Sequence, residues 1–262
     1  MILPVYIVDA FTDTPFRGNP AAVVPLESWL PDDRLQAIAA QHNLSETAFT
    51  VPVSEGYDLR WFTPRVEVDL CGHATLAAAH VHCSERGHHG ERIHFHTKSG
   101  LLEVARHRDC RYTLDFPCDM PTPVFDFPSL LGEALGTIPT SVWKGRFDYL
   151  VRLETEAEVQ RLTPKMPLLA GLEARGIIVT AWSSPDGYVS RFFAPACGVD
   201  EDPVTGSAHC TLTSFWAEMK GITHFQARQL SARGGSLECT LAGERVLLTG
   251  DARLYLQGQI HL

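Results

Sequence analysis

The sequence predicts an α+β protein of two similarly folded halves, each a curved sheet around a central helix. Three observations lead there. Short strand-like runs dominate the chain, with a few helices and no regular strand–helix alternation. Two small-residue stretches, ATLAAAHV from Ala74 and SAHCTLTSFW from Ser207, read as helices with no polar face, which places them in the interior. An ordered motif also occurs twice. RWFTP from Arg60 leads through VDLCGHATLAA, and RFFAP from Arg191 leads through VDEDPVTGSAHCTL. Arg60 to Gly72 spans 12 positions and Arg191 to Gly206 spans 15, so one three-residue insertion aligns the copies.

The elements follow in order. ILPVYIVDAF, rich in β-branched and aromatic residues, opens as a strand. A turn, TDTPFRGNP, and a second apolar run, AAVVPL, come next. PDDRLQAIAAQHN reads as a helix. Pro31 and two aspartates mark its start, and Leu35, Ile38 and Ala39 share one face. ETAFTVPV, YDLRWFTP, RIHFHT, LLEVARH and CRYTLDFP are strands. The proline-rich stretch Pro117 to Pro128 reads as a linker. Beyond it SLLGEAL and TEAEVQRL read as helices, and RGIIVTAW, YVSRFFAP, RVLLTG and ARLYLQ as strands. The expected domains are residues 1–117 and 118–250.

Composition bounds the function. There are 22 basic and 31 acidic residues, a net charge of −9, which argues against nucleic acid and anionic membranes as partners. Seven cysteines, odd in number and without a CxxC pair, favour a reducing, cytoplasmic setting. MILPVYIVDAF lacks a basic start and reaches Asp9 too early for a signal peptide. No apolar run approaches the ~18 residues of a membrane span. Neither GxGxxG nor GxxxxGK occurs, so no nucleotide site is expected.

Each copy of the motif sets a glycine, Gly72 or Gly206, at a helix start. First-turn amides have no intrahelical partner and carry a partial positive charge. Glycine lets a ligand approach them. Two such seats, facing across a domain cleft, would grip a small anionic metabolite; the plainer reading of either glycine alone is a turn. His73 falls in a first turn, where the helix field favours neutral imidazole; otherwise it caps or packs. Cys71 is a candidate nucleophile or base, since helix starts lower thiol pKa values. The second seat has no thiol to match it, so a buried small residue is the preferred reading. Glu46 follows Ser45 directly, which rules out a capping box. It is either solvated or buried for proton transfer. HVHCSERGHHGERIHFH reads as solvated histidines rather than a metal site, although His94 and His96 share a strand face.

DAFTDTPFRGNPAAVV, NLSETAF with LCGHAT, and EDPVTGSA, in this order, make the chain resemble the phenazine-biosynthesis isomerase (PhzF-like) family within the diaminopimelate-epimerase-like fold. The resemblance runs nearly end to end. It implies two pseudo-symmetric domains, with the last strand, 251–262, returning to the first. It implies Glu46 as catalytic acid/base, with His73, Asp202 and Ser207 holding and polarising the substrate. Gly72 and Gly206 would form the anion seat, Ser45 would line the pocket, and Asn19 would sit at the cleft rim. No cofactor or metal is implied, and a homodimer is expected. Many members carry alanine where this chain has Cys71, and the thiol belongs to the epimerase branch.

Three functions compete. The first is a cofactor-independent isomerase moving a proton between carbons of a small amino or hydroxy acid. The second is a thiol-dependent racemase or epimerase using Cys71. The third is a non-catalytic small-acid binding protein.

Overall fold

A computed structural model describes residues 1–183 and 185–262. Its contacts group the chain into two units, Met1–Asp115 with Thr249–Leu262, and Phe116–Leu248. The apolar opening forms β1 (Ile2–Ala10), antiparallel to β2 (Asn19–Pro25). The connecting turn closes at Gly18, where φ is +68° and a side chain would strike the Ala10 carbonyl; only glycine suits it. Asn19 is thereby placed opposite Ala10.

Helix α1 (Asp32–His42) begins with two aspartates in its first turn, which suits the helix field. It buries Leu35, Ile38 and Ala39 against Val24, Phe49 and Phe62. It ends at Asn43, whose left-handed backbone returns an N–H to the Ala39 carbonyl. Three residues later the chain enters β3 (Glu46–Val53), parallel to β2. β4 (Gly56–Phe62) pairs back on β3, and the short β5 (Glu67–Val68) pairs on β4. Then α2 (Gly72–Ser84) crosses over to β6 (Arg92–Thr97), parallel to β4. β7 (Gly100–Arg106) and β8 (Tyr112–Pro117) complete the meander.

The second unit repeats this order. β9 (Thr122–Pro123) pairs with β10 (Ser141–Lys144), and α3 (Ser129–Leu135) lies between them in sequence. The proline-rich stretch is therefore hydrogen-bonded into this unit rather than forming a free linker, with Val124 N–H bonded to the Val142 carbonyl. β11 (Tyr149–Arg152) leads through α4 (Glu156–Arg161) and α5 (Met166–Leu169) to a parallel β12 (Ile177–Ser183). A reciprocal Thr155–Glu158 capping box starts α4. β13 (Gly187–Ala194), β14 (Val199–Asp202), α6 (Gly206–Lys220) and β15 (His224–Gln229) match β4, β5, α2 and β6 in pairing sense. β16 (Gly235–Ala242) and β17 (Arg245–Gly250) follow. β18 (Ala252–His261) is antiparallel to β1, in the first unit.

The repeat extends to side chains. Arg60 makes a two-pronged ion pair with Glu67, at 2.7 and 2.8 Å, and stacks on Phe62. Arg191 does the same with Glu201, at 2.7 and 2.9 Å, and stacks on Phe193. Each pair anchors the short strand that feeds a helix start. α2 and α6 are buried around nearly their whole circumference, as their small residues require. No helix among the described residues is long and apolar enough to cross a membrane.

Candidate active site

In the first unit, three elements bring their first residues together: Asn19 opens β2, Glu46 opens β3, and Cys71, Gly72 and His73 open α2. Asn19 Nδ2 lies 3.2 Å from His73 Nδ1, and Cys71 Sγ lies 3.5 Å from the same nitrogen. Asn19 Nδ2 and a thiol are donors, so Nδ1 is the acceptor and the ring proton sits on Nε2. That proton faces Glu46 Oε2 at 3.2 Å, within ion-pair range but off the line of a full hydrogen bond. Burial pushes the His73 pKa down to about 3, so the imidazole is neutral.

Glu46 is neither solvated nor sealed away: its side chain is 19% exposed. Ser45, immediately before it, is half-buried. Cys71 is buried at the N-cap of α2, and its carbonyl accepts from Thr75 Oγ1 at 2.5 Å. Asn19 was expected at a rim. It is instead completely buried beneath His73, because the Gly18 turn drives β2 into the core. Glu46, Cys71 and His73 place ligand atoms within 4.8 Å of one another, the one such trio among the described residues. Its N, S and O donors suit zinc. The positive end of α2 works against a cation there.

In the second unit Asp202 ends β14, and Gly206 and Ser207 open α6. Between them Thr205 donates from Oγ1 to Asp202 Oδ2 at 2.5 Å. Buried Gln229, at the end of β15, accepts from Thr205 N–H at 3.0 Å. Its Nε2 donates to the Asp202 carbonyl at 2.7 Å and to Thr205 Oγ1 at 3.2 Å. Ser207 Oγ accepts from Arg175 Nη2 at 3.0 Å, and Arg175 is itself held by Asp148 through Nε at 2.9 Å and through Nη2. Burial raises the Asp148 carboxyl pKa, and the Arg175 contact opposes that rise.

Thr205 lies inside the DPVTGSA motif, so its place was legible. Gln229, Arg175 and Asp148 carry no local signal, since each reaches the site only through a distant strand or loop. The histidine-rich segment also departs from expectation. His82 is buried, not solvated, stacked on Tyr57 at 3.7 Å and hydrogen-bonded to Thr50 at 2.9 Å, because α2 runs on through it. His94 meets Glu103, and His96 meets the Glu55 carbonyl.

A family model described as phenazine biosynthesis-like protein matches residues 8–258. The chain belongs to that family. Over 262 residues, the full length of both chains, it is 50% identical to an uncharacterized isomerase of Pseudomonas aeruginosa. A PhzF-family phenazine biosynthesis protein from Enterococcus faecalis superposes with a TM-score of 0.96 at 43% identity, covering 100% of each chain. A hydroxyproline epimerase from Agrobacterium vitis shares the fold alone, with a TM-score of 0.65 at 10% identity over 99% of this chain and 92% of that one. The PhzF-like resemblance and the epimerase-like α+β fold read from the motifs therefore hold, and the chain is a PhzF-like enzyme of the isomerase class.

Proposed function

We propose that this PhzF-like enzyme moves a proton between carbons of a small amino or hydroxy acid, with Glu46 as the single acid/base. The reading rests on one observation: Glu46 Oε2 lies 3.2 Å from the Nε2 of a neutral imidazole. A carboxylate beside a neutral donor is held in orientation and keeps the basicity to take a proton. In the reaction Glu46 removes a proton from a carbon next to the acid group. In an unsaturated substrate the C–H electron pair forms a new double bond, the existing C=C pair moves one bond along, and the carboxyl of Glu46 delivers the proton to the far carbon that this pair reaches. No electron leaves the substrate.

Negative charge that gathers on the substrate during transfer meets the first-turn amides at Gly72 and Gly206. His73 polarises the substrate, and Asp202 and Ser207 orient its amine, hydroxyl or carboxylate. On this reading Ser45 and Asn19 support Glu46 and His73.

Deuterium uptake from solvent, screened by NMR over small amino, hydroxy and cyclic acids, tests the proposal. Glu46→Gln should abolish uptake and leave thermal unfolding intact. Full activity in that variant would remove Glu46 from its role. The contact of Cys71 Sγ with His73 Nδ1 keeps a thiol-based epimerisation as the second reading. It requires that Cys71→Ala be inactive, whereas the first reading leaves that variant active.

A further inference from the structure

Cys71, His73 and Glu46 make a compact ligand set. Their ligand atoms lie within 4.8 Å of one another, and they are the one such trio among the described residues. A tetrahedral zinc ion bonds nitrogen and oxygen at about 2.0–2.2 Å and sulfur at about 2.3 Å, which sets its ligand atoms about 3.3–3.7 Å apart. Glu46 Oε2 and His73 Nε2 are 3.2 Å apart, and Cys71 Sγ and His73 Nδ1 are 3.5 Å apart. The two contacts fall on different ring nitrogens. An ion on one of them needs the remaining ligand to close by about 1 Å, a movement that one side-chain rotation supplies.

Charge decides what the helix start tolerates. The first-turn amides of α2 carry a partial positive charge and disfavour a bare cation. A thiolate and a carboxylate together carry two negative charges, so a divalent ion held by both leaves the site neutral. The Cys71 thiol gives its proton to solvent on binding. Neutral His73 keeps its proton on the nitrogen that the metal leaves free, and the Asn19 amide, with a donor and an acceptor, can serve either ring form. Magnesium gains little from sulfur and keeps its water, whereas zinc, cobalt and cadmium bond sulfur strongly. The set is also held in place by the fold. Cys71 is the N-cap of α2, and its carbonyl is bound by Thr75. Glu46 is partly exposed, which gives an ion a way in and turns its fourth position toward solvent. The doubled motif supplies an internal contrast. Where the first unit has Cys71, Gly72 and His73, the second has Thr205, Gly206 and Ser207, with neither thiol nor imidazole.

We propose that Cys71, His73 and Glu46 form a binding site for a thiophilic divalent cation, with zinc as the fitting ion. The consequence rests on the role proposed above for Glu46: an ion there occupies the carboxylate lone pair that takes the substrate proton, so occupancy stops the reaction.

The test is a cobalt(II) titration of the full chain, stripped with chelator and kept free of oxygen. Wild type should develop thiolate-to-cobalt charge transfer in the near ultraviolet, together with the visible bands of tetrahedral cobalt, saturating at equimolar metal. Zinc should bleach both, and a roughly hundredfold excess of magnesium should leave them. Cys71→Ser should abolish the charge transfer. Glu46→Gln should weaken binding by more than the ~10- to 100-fold that an outer-shell change costs, and it keeps the test open if thermal unfolding shows that Cys71→Ser does not fold. The double variant Cys110→Ser with Cys197→Ser, which removes the two exposed thiols, should give the wild-type spectrum. Wild type without thiolate charge transfer, a folded Cys71→Ser protein that keeps it, or Glu46→Gln with wild-type affinity overturns the proposal. Solvent-deuterium exchange in the zinc-saturated enzyme separates the site from the proposed function. If charge transfer depends on Cys71 and exchange still runs at its full rate, the metal site stands and Glu46 loses its catalytic role.

Discussion

Replacing Gln229 with leucine removes a buried side chain that ties the end of β15 to the Asp202 corner. Three hydrogen bonds go: those to Thr205 N–H, Thr205 Oγ1 and the Asp202 carbonyl. Stranding the Thr205 amide in a dry interior costs about 1–3 kcal/mol, and the two lost donations add about as much as one ordinary bond. A loss of roughly 2–4 kcal/mol of stability follows. Gln229→Glu divides the effect. It keeps an acceptor for the Thr205 amide but loses the Nε2 donor. The Thr205 hydroxyl has one proton, which it gives to Asp202 Oδ2 while accepting from Gln229. Facing a carboxylate, that proton turns toward residue 229 and releases Asp202. Gln229→Glu spares the amide but buries a carboxylate with no cation beside it among the described residues, so it should be no more stable than Gln229→Leu and equally slow in deuterium exchange. On the role proposed for Asp202, displacing it should lower kcat on the order of 10- to 100-fold, more than it raises KM. Urea unfolding and exchange kinetics read the two effects separately. A Gln229→Leu protein within about 1 kcal/mol of wild type and with normal exchange would refute the account.

Two other predictions concern the whole fold. Burial holds His73 and His82 at about 3 and His80 and His209 at about 4, all below the ordinary histidine value. The unfolded chain therefore binds protons first, and stability should be unaffected by these groups above pH ~6.5 and fall as the pH drops from there toward 4. His82→Gln should flatten that slope by about one proton, ~1.4 kcal/mol per pH unit, in urea midpoints measured from pH 7 to 5; an unchanged slope would count against it. Gly56 and Gly187 occupy equivalent positions in β4 and β13, where an added Cβ would fall on the His94 and Gln226 carbonyls of the neighbouring parallel strand. Alanine at either should cost about 2 kcal/mol or more, and a change below 0.5 kcal/mol in either would break the equivalence.

Local pattern carried much of the element order. ETAFTVPV is β3 and SLLGEAL is α3 residue for residue, since each is bounded by turn or cap chemistry that acts over a few residues. β15 went unread although its residues alternate in burial, because HFQARQ mixes polar and small residues where apolar ones mark a strand. Its last residue is Gln229, so the clamp on Asp202 was lost with it.

The doubled motif determined by itself that two helices begin at a glycine beside charged and polar groups, because helix starts depend on neighbours in sequence. The Arg-to-Glu anchors went unread, although their partners lie only 7 and 10 positions apart. Only the tertiary structure decided that Asn19 lies under His73, 54 positions away, and that Arg175 reaches Ser207, 32 positions away. The reason is physical. Periodicity and capping record forces between near neighbours, whereas strand pairing sets which distant side chains meet, and a hydrogen bond between them leaves no mark in either local stretch.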